Sequence, residues 1–110
     1  MEAKNYHKYK IKLEHRSVAS IEADGQKLRS FIEPDNRDEL PKLYVVKSRA
    51  EVVYIGQTTQ NMRDRLRQGL KAQGKSGYYG YMWKDLPEVG VLVWCFPRED
   101  EKYTETGVNP

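Results

Sequence analysis

The sequence has a single cysteine, Cys95, which excludes an internal disulfide and a cysteine-rich zinc module. It has only two histidines, His7 and His15, and no Cys or carboxylate spacing around them makes a zinc motif, so both are expected at the surface. No apolar run approaches the roughly 20 residues of a membrane-spanning helix, which predicts no membrane partner. The first ten residues, MEAKNYHKYK, are charged and hold no apolar leader. With the lone thiol, this predicts a cytoplasmic, intracellular protein. There is no internal repeat and no low-complexity linker. At 110 residues the chain has room for one small domain with a modest core, which leaves a homodimer open.

The net charge is only +3, from 19 Lys and Arg against 16 Asp and Glu, but it is unevenly distributed. Residues 1–41 balance to zero, residues 42–84 carry +7 and residues 85–110 carry −4. The basic block ends in Tyr78, Tyr79, Tyr81 and Trp83. Cations interleaved with aromatics suit a phosphate backbone and stacked bases, whereas charge alone is equally met by a solvated lysine-rich face. On the first reading Arg63, Arg67, Lys71, Lys75, Tyr78 and Tyr79 bind nucleic acid. The acidic C-terminal run is either a solvated end or a set of hard oxygen ligands for a divalent cation.

Tyr9 to Glu14 alternates apolar and charged residues and predicts a strand with one wet face. Ser17 followed by Val18, Ile21, Leu28, Phe31 and Ile32 predicts a helix, which Gly25 interrupts. Two β-branched and aromatic runs, at about 43–46 and 52–56, flank the polar stretch Lys47 to Glu51 and predict an antiparallel hairpin. Asn61 followed by Asp64 predicts a capped helix start, and Met62, Leu66 and Leu70 form its apolar stripe. Arg63 and Arg65 flank that stripe on opposite sides, while Gly69 falls inside it at a cost of about 1 kcal/mol relative to alanine. The apolar run from Gly90 to Phe96 predicts a third, central strand. The expected fold class is therefore α+β: a small central sheet, made of the hairpin plus a strand at about 90–96, flanked by helices. Residues 1–41 are expected to form a supporting strand and helix, and Cys95 a small buried hydrophobe.

Leu43-Tyr44-Val45, Tyr54-Ile55-Gly56-Gln57-Thr58 and the helix Asn61 to Arg67 together resemble the GIY-YIG nuclease family. Tyr54-Ile55-Gly56 matches the second motif in full. In the first, Lys42-Leu43-Tyr44 keeps only the tyrosine, with nine residues between it and Tyr54. Taken singly, both tyrosines are ordinary strand aromatics; their joint spacing with Arg65 singles them out. The resemblance makes residues 42–110 a nuclease domain and implies an endonuclease that hydrolyses DNA phosphodiester bonds with one divalent metal, Mg²⁺ or Mn²⁺. The catalytic positions it implies are Tyr44, Tyr54 and Arg65, with Glu105 first and Glu101 second for the metal. A half-buried guanidinium suits the charge that a phosphodiester gains in its transition state.

Two positions depart from the family pattern. Gly69 stands where many members carry a His or Tyr, which leaves Tyr78, Tyr79 or Tyr81 to reach the site instead. After the third strand, the run Pro97 to Thr106 meets Gly107 to Pro110 with at most about two helical turns, so the metal-binding helix is absent or shortened. These departures keep two other functions in view: a disarmed domain that binds nucleic acid without cutting it, and a protein-interaction module using the Tyr78–Trp83 segment.

Overall fold

A computed structural model describes residues 6–72 and 81–96 of the chain. These form six strands and one helix: β1 (His7–Glu14), β2 (Ser17–Ala23), β3 (Gln26–Leu28), β4 (Lys42–Ser48), β5 (Glu51–Thr58), α1 (Met62–Lys71) and β6 (Glu88–Cys95). The strands make one sheet in the order β3-β2-β1-β6-β4-β5, and every neighbouring pair is antiparallel. The last strand, β6, lies between β1 and β4 and joins the N-terminal three-stranded meander to the β4–β5 hairpin.

This architecture corrects the helix-flanked α+β expectation. The protein is mostly antiparallel sheet, with a single short helix among the described residues. The stretch expected to be helical from Ser17 onward is β2 and β3. Its turn decides the matter: Asp24 and Gly25 have φ of 52° and 79°, the sign pattern of a type I′ hairpin turn. Such a turn reverses the chain where a helix would continue it. His15 and Arg16 repeat the pattern between β1 and β2, at φ of 52° and 59°. The ladder of β1 then pairs Ile11 with Ile21, so Ile21 is buried by sheet pairing instead of helical periodicity. The β4–β5 hairpin forms as expected, but with longer strands and Arg49 and Ala50 alone between them. The third strand runs from Glu88 to Cys95.

Alternation puts Tyr9, Ile11 and Leu13 of β1, Tyr44 and Val46 of β4, and Val89, Val91 and Val93 of β6 on one buried face. Helix α1 covers this face with Met62, Leu66 and Leu70, all at most 1% exposed. Each such side chain stabilises the fold by about 1.5–3 kcal/mol. The helix begins as the sequence predicts: Asn61 Oδ1 accepts from the Asp64 amide at 2.8 Å, and Asn61 Nδ2 donates to the Asp64 carboxylate at 3.1 Å.

The segment between β3 and β4 is tied to the sheet by a buried carboxylate. Asp35 is 1% exposed and its Oδ2 accepts from the Tyr9 hydroxyl, with His7 Nδ1 2.8 Å away. Tyr9 also accepts from the Ile32 amide at 3.0 Å. His7 is thus half-buried against Asp35, not a plain surface residue. Cys95 is only partly buried, with its thiol toward the Pro34 carbonyl. No helix among the described residues is long and apolar enough to cross a membrane.

Candidate functional site

Three elements converge at the β4–β5 end of the covered face. Tyr44 pairs with Gly56 across the hairpin, and Val46 pairs with Tyr54, so both motif tyrosines project toward α1. Their ring centroids lie 5.8 Å apart. Gly56 makes this approach possible: a Cβ there would stand 2.6 Å from Tyr44 Cζ and 2.7 Å from Tyr54 Cε2. The glycine of the motif is therefore a packing requirement of its two tyrosines.

Arg65 reaches the same point from the helix. On the α1 wheel it sits at one shoulder of the apolar stripe, half-buried. Its Nε donates to the Tyr44 hydroxyl at 3.1 Å. Tyr44, Tyr54 and Arg65, the three positions implied by the resemblance, are brought together.

A fourth member is Tyr81, which the sequence offered only as one of three tyrosines. Its hydroxyl is 2.7 Å from that of Tyr44 and donates to the Arg65 carbonyl at 3.2 Å. Each phenol has one proton to give. With the Tyr81 proton on the Arg65 carbonyl, Tyr44 donates to Tyr81 and accepts from Arg65 Nε. The chain Arg65 Nε–H, Tyr44 O–H, Tyr81 O–H, Arg65 C=O closes on itself. The Tyr81 ring also underlies the guanidinium, 5.4 Å from its carbon, and stacks on Trp83 at 4.5 Å. Its edge meets Tyr54 at 4.9 Å.

Gly69 explains how Tyr81 gets there. A Cβ at position 69 would overlap Cε2 and Cζ of the Tyr81 ring, and the Tyr81 amide donates to the Gly69 carbonyl at 3.1 Å. The helical glycine is a notch that receives a ring from elsewhere in the chain. The signal was present in the sequence, since a glycine inside an apolar stripe calls for a bulky neighbour, but not which of the tyrosines supplies it.

Electrostatics define what this cluster is suited to. Burial is the largest influence on Tyr44 and pushes its pKa up; the hydrogen bonds from Arg65 and Tyr81 pull the other way without overcoming it. Tyr44 is accordingly a neutral phenol at neutral pH. Three phenols and a guanidinium give a hard divalent cation no carboxylate. Among the described residues no group of three or more His, Cys, Asp or Glu comes together. The cluster thus fits an anion, and its described residues do not fit a metal ion.

The remaining expected residues divide by place. Arg63, Arg67 and Lys71 are exposed on the shoulder of α1 away from Tyr44. Lys75, Tyr78, Tyr79, Glu101 and Glu105 lie outside the described residues, as does the expected shortened terminal helix. Lys42, which replaces the first glycine of the motif, is 2% exposed, and its Nζ donates to the carbonyls of Arg37 at 2.6 Å and Leu40 at 2.9 Å. Burial pushes its pKa down. It secures the loop before β4 and takes no part in the cluster. Comparison of the chain with family models, with curated protein sequences and with solved structures finds no match.

Proposed function

We propose that the chain is a GIY-YIG-type endonuclease domain that binds DNA and hydrolyses a phosphodiester at Arg65. The observation that carries this reading is the hydrogen-bonded ring joining Arg65, Tyr44 and Tyr81, with Tyr54 at its edge. A guanidinium fixed at Nε and backed by an aromatic face is preorganised to stabilise negative charge on a phosphoryl group. Tyr44 and Tyr81 orient Arg65. Tyr54, less buried than either, is the phenol placed to contact the attacking water or the phosphate. A catalytic Mg²⁺ or Mn²⁺ belongs to the same proposal; since the described residues of the cluster hold no carboxylate, Glu105 and Glu101, outside those residues, would have to hold it.

A second reading, binding of nucleic acid without cleavage, draws on one observation. Tyr44 is 0% exposed and held neutral, which opposes its service as a base. A plasmid-nicking assay with Mg²⁺ and Mn²⁺ separates the two. The nuclease reading expects nicked product from the wild type, none in EDTA, and a loss of about 100-fold or more in Arg65→Ala. No product at protein levels that shift DNA on a gel overturns cleavage and leaves binding.

A further inference from the structure

The opposite shoulder of α1 faces the other end of the sheet. Arg63, Arg67 and Lys71 recur every four residues and form one row along the helix. That row borders a groove of about 460 Å³ whose far wall is β2, with Arg16 before the strand and Arg29 after β3. Five cations line it, and no Asp or Glu among the described residues does. Two are compensated from outside: Arg16 pairs with Asp85 at 2.8 and 3.2 Å, and Arg67 with Asp64 at 3.0 Å. Arg29, Arg63 and Lys71 have no ion pair among the described residues, and all three are exposed.

Three like charges around one concave surface repel one another and focus a positive potential. They disfavour the free fold slightly and favour a polyanion that lies along them. The groove is not the site at Arg65. On the helix wheel, Arg65 and the Arg63 row lie on opposite sides of the buried stripe. In the sheet, β2 and β4 are three strand steps apart, about 14 Å at the usual spacing. At about 3.4 Å of rise per nucleotide, that separation is roughly four nucleotides of one strand.

We propose that this groove binds the phosphodiester backbone of the nucleic acid at a second place, away from the phosphate held at Arg65. The N-terminal meander then contributes to the nucleic-acid surface through Arg29. The proposal rests on the nucleic-acid reading above and not on cleavage, so the two can fail separately.

The test is fluorescence anisotropy with a labelled DNA duplex, titrated from low to moderate salt with the full chain. The triple variant Arg29→Ala, Arg63→Ala, Lys71→Ala is compared with the wild type. A matched triple, Lys8→Ala, Lys12→Ala, Lys47→Ala, removes the same charge from the uncovered face of the sheet. Removing one cation from a phosphate lowers the slope of log affinity against log salt by about 0.9. The groove triple is therefore expected to lower the slope by about 2–3 and the affinity by on the order of 10-fold or more, while the matched triple changes little. Arg65→Ala is expected to abolish nicking while keeping most of the slope. An equal fall in both triples means that net charge alone drives binding, and this overturns the groove. Unchanged binding in the groove triple also overturns it, and an acidic protein partner then becomes the better occupant. All substituted positions are at least partly solvent-accessible, and a thermal melt confirms that each variant is folded.

Discussion

The ring of Tyr81 occupies the space that any side chain at Gly69 would need. Twelve positions apart in sequence, the two residues act as one device: the notch in α1 admits the ring, and the ring puts its hydroxyl on Tyr44 and its face under Arg65. A glycine that reads as a loss on the helix is the condition for a tyrosine to enter from the loop side.

Gly69→Ala is expected to lower stability despite its better helix propensity. Alanine adds about 1 kcal/mol to the helix, but forcing the Cβ against a fully buried ring costs about 1–3 kcal/mol or more. Urea unfolding of a double-mutant cycle checks the cause. In a Tyr81→Ala background the same substitution is expected to change sign and stabilise, because the clash has gone.

Tyr81→Phe keeps the ring, its stacking on Trp83 and its approach to Arg65, and removes only the hydroxyl. The Tyr44 hydroxyl and the Arg65 carbonyl are then each left without that partner, which is expected to cost about 1–3 kcal/mol in the buried cluster. If Tyr81 orients Arg65, nicking falls with the KM for DNA unchanged. A drop in stability with unchanged nicking would assign Tyr81 to packing alone.

Stability is expected to fall at alkaline pH. Burial pushes the pKa values of both Tyr9 and Tyr44 above their ordinary value of 10.0, and for Tyr9 the bond to Asp35 adds to this. Above about pH 10 the unfolded chain releases these protons while the folded one holds them, so unfolding is favoured. Below pH 10 this contribution is fully present. The slope is about 1.4 kcal/mol per pH unit per tyrosine between the unfolded and folded values. Denaturant midpoints at pH 8, 10 and 11 measure it. Tyr9→Phe is expected to be less stable at pH 8 and to show a shallower alkaline fall.

Asn61→Ala is expected to cost about 1 kcal/mol. It removes the cap on the Asp64 amide and the Nδ2 bond to Asp38 at 3.0 Å. Asn61→Asp keeps the acceptor but sets a carboxylate oxygen against those of Asp38 and Asp64, so it is expected to recover less stability in a thermal melt than the neutral cap Asn61→Ser.

Local patterns determined much of this molecule. Alternation and β-branching mark β1, the β4–β5 hairpin and β6; the Asn61 cap and the Met62, Leu66, Leu70 stripe mark α1. The same hairpin and helix put Tyr44, Tyr54 and Arg65 on converging faces, because residue spacing on regular elements fixes direction. The stretch after Ser17 misled, since a serine and apolar residues at helical intervals outweighed Asp24-Gly25, whose positive φ values make it a hairpin turn. Tertiary structure alone decided the rest. That β6 lies between β1 and β4, that Tyr81 is the tyrosine which enters the Gly69 notch, and that Arg29 faces Arg63 and Lys71 across a groove are relations between distant residues. They arise when the buried faces close on one another, and no periodicity within a single segment contains them.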